Sequence, residues 1–114
     1  DARWWTESAE PMQEIHWHDI QRQHIGLKLY APVAADSCLT GRVLLWFNAQ
    51  MLPLNLRLPP TSAGCHWQKC VDSSTLQVLL SRDDLGAMQG MTIDTSVTVP
   101  PRSVLVWVEC RSDA

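Results

Sequence analysis

Short runs of alternating apolar and polar residues limit most strongly what this chain can form. In "LPLNLRLPP", residues 52–60, every second residue from Leu52 to Leu58 is Leu, and Asn55 and Arg57 stand between the leucines. Successive side chains of a β-strand point to opposite faces, so a period of two predicts a half-buried strand. Proline cannot donate a ladder hydrogen bond, so Pro53 indicates a turn, edge or bulge, and Pro59 with Pro60 indicates the end of the strand.

Similar runs recur about every ten residues. "IGLKLYAP" at 25–32 alternates, whereas "VLLWF" at 43–47 is apolar at every position, which predicts a central strand covered on both faces. "HWQKCV" at 66–71 and "STLQVLLS" at 74–81 predict two further strands. "RDDLGAMQG" at 82–90 is polar and contains Gly, so it predicts a loop or a single helical turn.

The last part of the chain carries two β-branched runs, 93–99 and 104–108, separated by a four-residue break that contains Pro100 and Pro101. This spacing predicts a hairpin. Residues 11–24 have only weak helical character, enough for one or two turns. Because no strand–helix–strand alternation occurs, the sequence predicts an all-β fold, an antiparallel two-sheet β-sandwich with a short helical turn near the N-terminus.

Length and charge restrict the function classes. The 114 residues predict a single domain, 1–114, with 1–24 as a junction segment and 25–112 as the sandwich strands. The net charge is −3 without a basic cluster, which disfavours nucleic acid as a partner. The longest apolar runs have five residues, too few to span a membrane. We expect the four cysteines to be free thiols in a reducing cytoplasm.

Residues for catalysis or metal binding do not form a convincing set. Asp83 and Asp84 are neighbours in a predicted loop, and adjacent residues rarely face one site together. The sequence contains no phosphate-binding glycine loop and no nucleophile elbow. Two groups have some metal-ligand character but lack the second half of a binding pattern: Cys65, His66 and Cys70, and His16, His18 and His24. We therefore expect no catalytic residue, no metal and no cofactor.

The tryptophans are the remaining candidates for function. Trp46, Trp67 and Trp107 fall in apolar or alternating runs, so we expect them in the core. Trp4, Trp5 and Trp17 lie outside the strong strand patterns, close to Met12. These four residues are our candidate site, either at a domain interface, where Trp is enriched, or as a stacking platform for sugar rings.

The opening segment "DARWWTESAEPMQEIHWHD" resembles the start of the C-terminal domain of bacterial glycogen debranching enzymes, the isoamylase-like group of the α-amylase superfamily. Four residues fall on that family's pattern without a gap: Trp4, Met12, Trp17 and Asp19. The family's Pro-Asp-Gly turn is replaced here by residues 7–9, Glu-Ser-Ala.

Later segments continue the resemblance. "RQHIGLKLYAP" is similar to the family's Arg-x-Leu-Gly strand, and "HWQKCVDSS" to its Trp-containing strand. "RVLLWFNAQMLPLNLRLPP" is similar to its Leu-rich strand ending in Asn-Ala and the following strand ending in Leu-Pro. "VPPRSVLVWV" resembles its terminal strand, with Arg102 and Ser103 on the pattern. The resemblance implies a non-catalytic domain that stabilises the catalytic (β/α) barrel of the same chain, in a glycoside hydrolase of glycogen catabolism. The barrel of that family carries the catalytic acids.

Two other functions stay open at this point. The chain could be a glucan-binding module that stacks its tryptophans on sugar rings, or an immunoglobulin-like interaction domain unrelated to starch chemistry. Because the resemblance places the opening aromatics at a domain seam, we expect the chain by itself to expose an apolar patch around these residues. We also expect it to self-associate through that patch.

Overall fold

The computed structural model describes residues 2–19, 21–33, 37–75, 77–78 and 96–111. Its described part is antiparallel β-structure with one helical turn, which confirms the predicted fold class. The elements are β1 Ala2–Trp5, α1 Glu14–Trp17, β2 His24–Tyr30, β3 Leu39–Asn48, β4 Leu54–Arg57, β5 Cys65–Asp72, β6 Gln77–Val78, β7 Ser96–Val99 and β8 Ser103–Arg111.

Eight strands form two sheets in the described part of the chain. The larger sheet has the order β1-β2-β3-β8-β5-β6, and the smaller sheet pairs β4 with β7. Strand β3 lies between β2 and β8, so the predicted central strand is confirmed as an interior strand. The sequence predicted that both faces of this strand are covered, but only one is. Leu44 and Trp46 are buried on that face, whereas Phe47, on the other face, is 37% exposed.

The core lies between the two sheets, because both present an apolar face to the other. Its buried members are Leu44, Trp46, Leu54, Leu56, Leu58, Trp67, Val99, Leu105 and Trp107. The alternation that predicted β4 is confirmed, since three of its four leucines are in this set. Leu52 precedes the strand and is exposed. The three tryptophans that we expected in the core are all there.

The predicted hairpin at the end of the chain is wrong. Strand β7 pairs with β4 in the small sheet, whereas β8 pairs with β3 and β5 in the large one. Between them the amide of Asn48 donates hydrogen bonds to the carbonyl oxygens of Val99 and Pro100, at 3.2 and 3.1 Å. The Ser103 hydroxyl also donates to Pro100. The four-residue break is therefore a corner at which the chain changes sheets.

The other local predictions have mixed outcomes. The helical turn near the N-terminus is confirmed as the single turn α1. Within the predicted strand 74–81, Gln77 and Val78 pair with the end of β5. The predicted loop 82–90 lies outside the described residues. None of the four cysteines forms a disulfide.

Gly26 provides a test of how tightly the core packs. It lies on β2 opposite Trp46 of β3, and a Cβ atom added there would lie 2.5 Å from Trp46 Cε2. Because that ring is buried and cannot swing aside, we expect Gly26→Ala to lower the free energy of unfolding by about 2 kcal/mol. Urea denaturation measures the change. Gly64→Ala is the control for lost chain flexibility, since an added Cβ there meets nothing within 4 Å. Gly64 has a φ of +74°, so an Ala there is expected to cost about 1 kcal/mol of backbone strain. If Gly26→Ala lowers the free energy of unfolding by less than Gly64→Ala does, the core does not pack tightly against Gly26.

Candidate functional site

The first residues form an edge strand that the sequence reasoning did not predict. Strand β1 pairs with β2, and after it the chain reverses through a tight turn in which Thr6 N–H donates to the Glu10 carbonyl at 2.7 Å. The Met12 N–H then donates to the Trp4 carbonyl at 2.9 Å. This reversal brings α1 back beside β1, and so it positions the candidate aromatics.

Three of the four predicted site residues lie near one another, and the fourth lies apart. Trp4 and Trp17 meet edge to face, with ring centroids 5.8 Å apart, and they are 42% and 52% exposed. Met12 is half-buried and lines a groove together with Trp17. Trp5 follows Trp4 on the strand, so its side chain is on the opposite face, where it packs against the core.

The groove beside α1 has a volume of about 430 Å³. Its apolar wall includes Met12, Trp17 and Phe47, and its polar side chains include Asp19, Arg22 and Gln23. This composition, an exposed aromatic ring with hydrogen-bonding groups at the rim, is typical of sites for small polar ligands.

A charged cluster fixes one side of the groove. Arg22 Nη1 donates to Glu7 Oε2 at 2.8 Å, and His24 Nδ1 lies 3.6 Å from the same oxygen. Burial alone would raise the pKa of Glu7, but the hydrogen bond from Arg22 and the positive charge of its guanidinium hold that pKa below its ordinary value. Burial lowers the pKa of His24, and the Glu7 carboxylate offsets only part of this effect. His24 is therefore neutral at pH 7.

The lowered pKa of His24 predicts a loss of stability in mild acid. The unfolded chain takes up a proton near the ordinary value of 6.5, while the folded chain takes it up only at lower pH. As the pH falls from about 6.5 to the folded pKa, protonation therefore favours the unfolded state. We expect the Tm of the wild type to drop over this range, and His24→Gln to remove part of the drop. His18→Gln is the control, because His18 is well exposed. If both variants keep the full dependence, His24 is not responsible.

A second feature lies on the outer face of the large sheet, opposite the core. Strand register places three rows of three residues side by side across β2, β3 and β8, and all nine are apolar. The rows are Ile25, Phe47 and Val104; Leu27, Leu45 and Val106; and Leu29, Val43 and Val108. We call this set the apolar grid. None of the nine is fully buried.

The apolar grid is unusual for a solvent-facing sheet. An antiparallel sheet with one face on the core and the other in water normally carries polar residues on the outer face. With strands 4.8 Å apart and alternate residues nearly 7 Å apart, the grid covers about 300 Å². Trp4, on the edge strand β1, adjoins the grid because it pairs with Leu27 of β2. A patch of this size is comparable with the largest apolar patch on a typical monomer, which often has a function.

The buried carboxylate of Glu109 is surrounded by hydrogen-bond donors and an arginine. Its side chain is fully buried, accepts hydrogen bonds from the Thr40 hydroxyl and the Ser62 N–H, and pairs with Arg42 Nη1 at 3.2 Å. Burial would raise its pKa, but the hydrogen bonds from Thr40, Ser62 and Arg42 hold that pKa below the ordinary value. Glu109 is therefore ionised and satisfied, which does not suit a general acid.

Metal-binding groups and membrane-spanning helices are absent from the residues that the structure describes. Among them, no group of three His, Cys, Asp or Glu side chains is arranged to hold a metal ion. No helix in the same ranges is long and apolar enough to cross a membrane.

No protein-family model matches the chain, and no curated protein matches it significantly. Function is therefore inferred from the geometry of the grid and the groove, together with the resemblance in sequence.

Proposed function

We propose that this chain is the non-catalytic C-terminal β-sandwich of a cytoplasmic debranching glycoside hydrolase that acts on α-1,6-glucan bonds of glycogen. In this proposal it packs against the catalytic (β/α) barrel of the same protein and stabilises it. The apolar grid is the observation that carries the proposal, because an apolar outer face needs a cover. A (β/α) barrel presents an outer ring of helices, and one helix, about 10 Å across, matches the width of three strands.

The resemblance supplies the identity of the partner, and one backbone angle supports the resemblance. Ala9 stands where the family pattern has Gly, and its φ is +60°. This left-handed conformation favours glycine and is uncommon for other residues. The turn that follows Trp4 thus has the backbone that the family's turn residue would favour, although its sequence differs.

The apolar grid contributes part of the free energy that such a joint needs. Burying about 300 Å² of apolar surface on this side contributes about 7 kcal/mol of gross transfer free energy at about 25 cal/mol/Å². Ordering the two surfaces offsets part of this gain. A linker between barrel and sandwich reduces the remaining cost, since it makes the contact intramolecular.

The experiment compares the longer protein that this proposal requires with a version that lacks residues 1–114. We expect the truncated protein to lose thermal stability while the residual folded fraction still cleaves α-1,6 bonds, because the sandwich supplies no catalytic group. Thermal unfolding and debranching activity are measured separately. A reading frame without a barrel before Asp1 would overturn the proposal, as would a truncated protein of unchanged Tm.

The groove beside α1 supports a second candidate, a glucan-binding module. Its half-exposed Trp17 could stack on a sugar ring, while Asp19 and Gln23 could bond the hydroxyl groups at the rim. Stacking on an aromatic ring would bury the ring from water and change its fluorescence.

Titration of tryptophan fluorescence with maltoheptaose tests this second candidate. We expect saturation in the wild type and its loss in Trp17→Ala. Ile15→Ala is the matched control, because Ile15 lies on the same helical turn, is 74% exposed and does not line the groove. An unchanged spectrum at millimolar maltoheptaose would remove the glucan-binding function and leave the supporting function untouched.

A further inference from the structure

A basic pocket lies on the core-facing side of the large sheet, apart from the groove, and it shares Leu29 with the edge of the apolar grid. It has a volume of about 270 Å³ and is lined by Arg3, Trp5, Lys28, Leu29, Tyr30 and Arg42. Three of these six side chains are cations, although the whole chain has a net charge of −3. The pocket is therefore locally positive on a chain that is negative overall.

The strand register makes this arrangement costly without a ligand. Arg3 and Lys28 are direct partners across β1 and β2, and like charges in directly opposed positions destabilise a sheet. Arg42 lies on the next strand, where it pairs with Tyr30. Burial lowers the pKa of Lys28, and the positive charge of Arg42 lowers it further; the Glu109 carboxylate opposes this effect, and Arg3 adds to it.

Internal partners neutralise the pocket only in part. Glu109 pairs with Arg42, but it also accepts hydrogen bonds from Thr40 and Ser62. Lys28 Nζ lies 5.1 Å above the Trp5 ring, a cation–π contact that holds the ammonium in place without cancelling its charge. Arg3 is exposed at the edge strand. Glu109 balances the charge of Arg42, and the charges of Arg3 and Lys28 still face the same cavity.

We propose that this basic pocket binds a phosphoryl group, with Arg3 and Lys28 as its principal contacts and Arg42 at its wall. A phosphate dianion matches two cations in charge, and both guanidinium and ammonium groups donate strong hydrogen bonds to phosphate oxygens. Tyr30, half exposed beside the cations, is positioned to contact the remainder of a phosphomonoester. The phosphoryl group could belong to inorganic phosphate or to a small phosphomonoester such as a sugar phosphate.

Thermal unfolding of the 114-residue chain tests the pocket, with inorganic phosphate as the probe and sodium chloride at matched ionic strength as the reference. At ten times its Kd, phosphate is expected to raise the Tm by about 5 °C over chloride. Glucose 6-phosphate in a parallel series distinguishes the sources, since tighter binding than phosphate would identify a monoester. Weaker binding would identify the free ion. An equal Tm in phosphate and chloride, with no rise in glucose 6-phosphate, would overturn the proposal.

Charge variants separate binding from a structural role. Arg3→Gln is expected to raise the Tm in chloride, because it relieves the repulsion with Lys28, and to abolish the further rise in phosphate. Arg57→Gln is the matched control, since it makes the same charge change at an exposed residue of β4, outside the pocket. If phosphate raises the Tm of Arg3→Gln as much as that of the wild type, the pocket is not the binding site.

Discussion

Replacing Trp46 by Ala lowers the free energy of unfolding by about 3–5 kcal/mol, the range measured for large aromatic side chains in protein cores. Trp46 lies on the interior strand β3 and is 1% exposed, so its removal leaves a cavity between the two sheets. The loss approaches the whole stability of a small domain, about 5–15 kcal/mol. Urea denaturation followed by circular dichroism measures it.

Trp17→Ala is the matched control for that substitution. The chemical change is the same, but Trp17 is half exposed on a single helical turn, so we expect a loss below about 1 kcal/mol. Equal losses in the two variants would show that the core does not lie between the sheets as described.

Replacing Glu109 by Gln has the second largest expected effect, a loss of about 3 kcal/mol at pH 7, because it removes the charge from a fully buried carboxylate. The side chain keeps its size, but Arg42 loses its partner. One of the donors from Thr40 and Ser62 then faces an amide N–H₂ group instead of an oxygen. Glu10→Gln is the control, since Glu10 is exposed.

The difference between wild type and Glu109→Gln should depend on pH. Because the pKa of Glu109 is lower in the folded chain than its ordinary 4.5, the carboxylate contributes its stability above that value. The contribution is lost as the pH falls through the folded pKa. We therefore expect the two stability curves to converge in acid. Curves that stay parallel from pH 7 to pH 3 would contradict an ionised Glu109.

The fold was largely predictable because strand formation leaves a local signal. The alternation of Leu54, Leu56 and Leu58 identified β4 and its buried face. The sequence carries a weaker signal of which strands pair with each other. Pro100 and Pro101 can end a hairpin arm or form a corner between sheets, and here the contacts of Asn48, distant in sequence, accompany the corner. Strand β1 was missed because four residues are too few to establish a period.

The candidate sites were less predictable, since each depends on residues far apart in the chain. "VLLWF" indicated a strand apolar on both faces, but the apolar grid appears only when the register aligns β3 with β2 and β8. The pair of Glu7 and Arg22 is separated by 15 positions and has no local pattern. The neighbouring positions of Arg3 and Lys28 likewise follow only from the pairing of β1 with β2.

The proposed packing of the apolar grid against another domain can be tested with one substitution measured in two contexts. Leu45→Lys places a charge at the centre of the grid, between Leu27 and Val106. Val33→Lys is the control, an exposed apolar residue outside the grid. We predict that Leu45→Lys lowers the Tm far more in the longer protein than in the 114-residue chain, while Val33→Lys has little effect in either. An equal change of Tm for Leu45→Lys in both contexts would contradict the account.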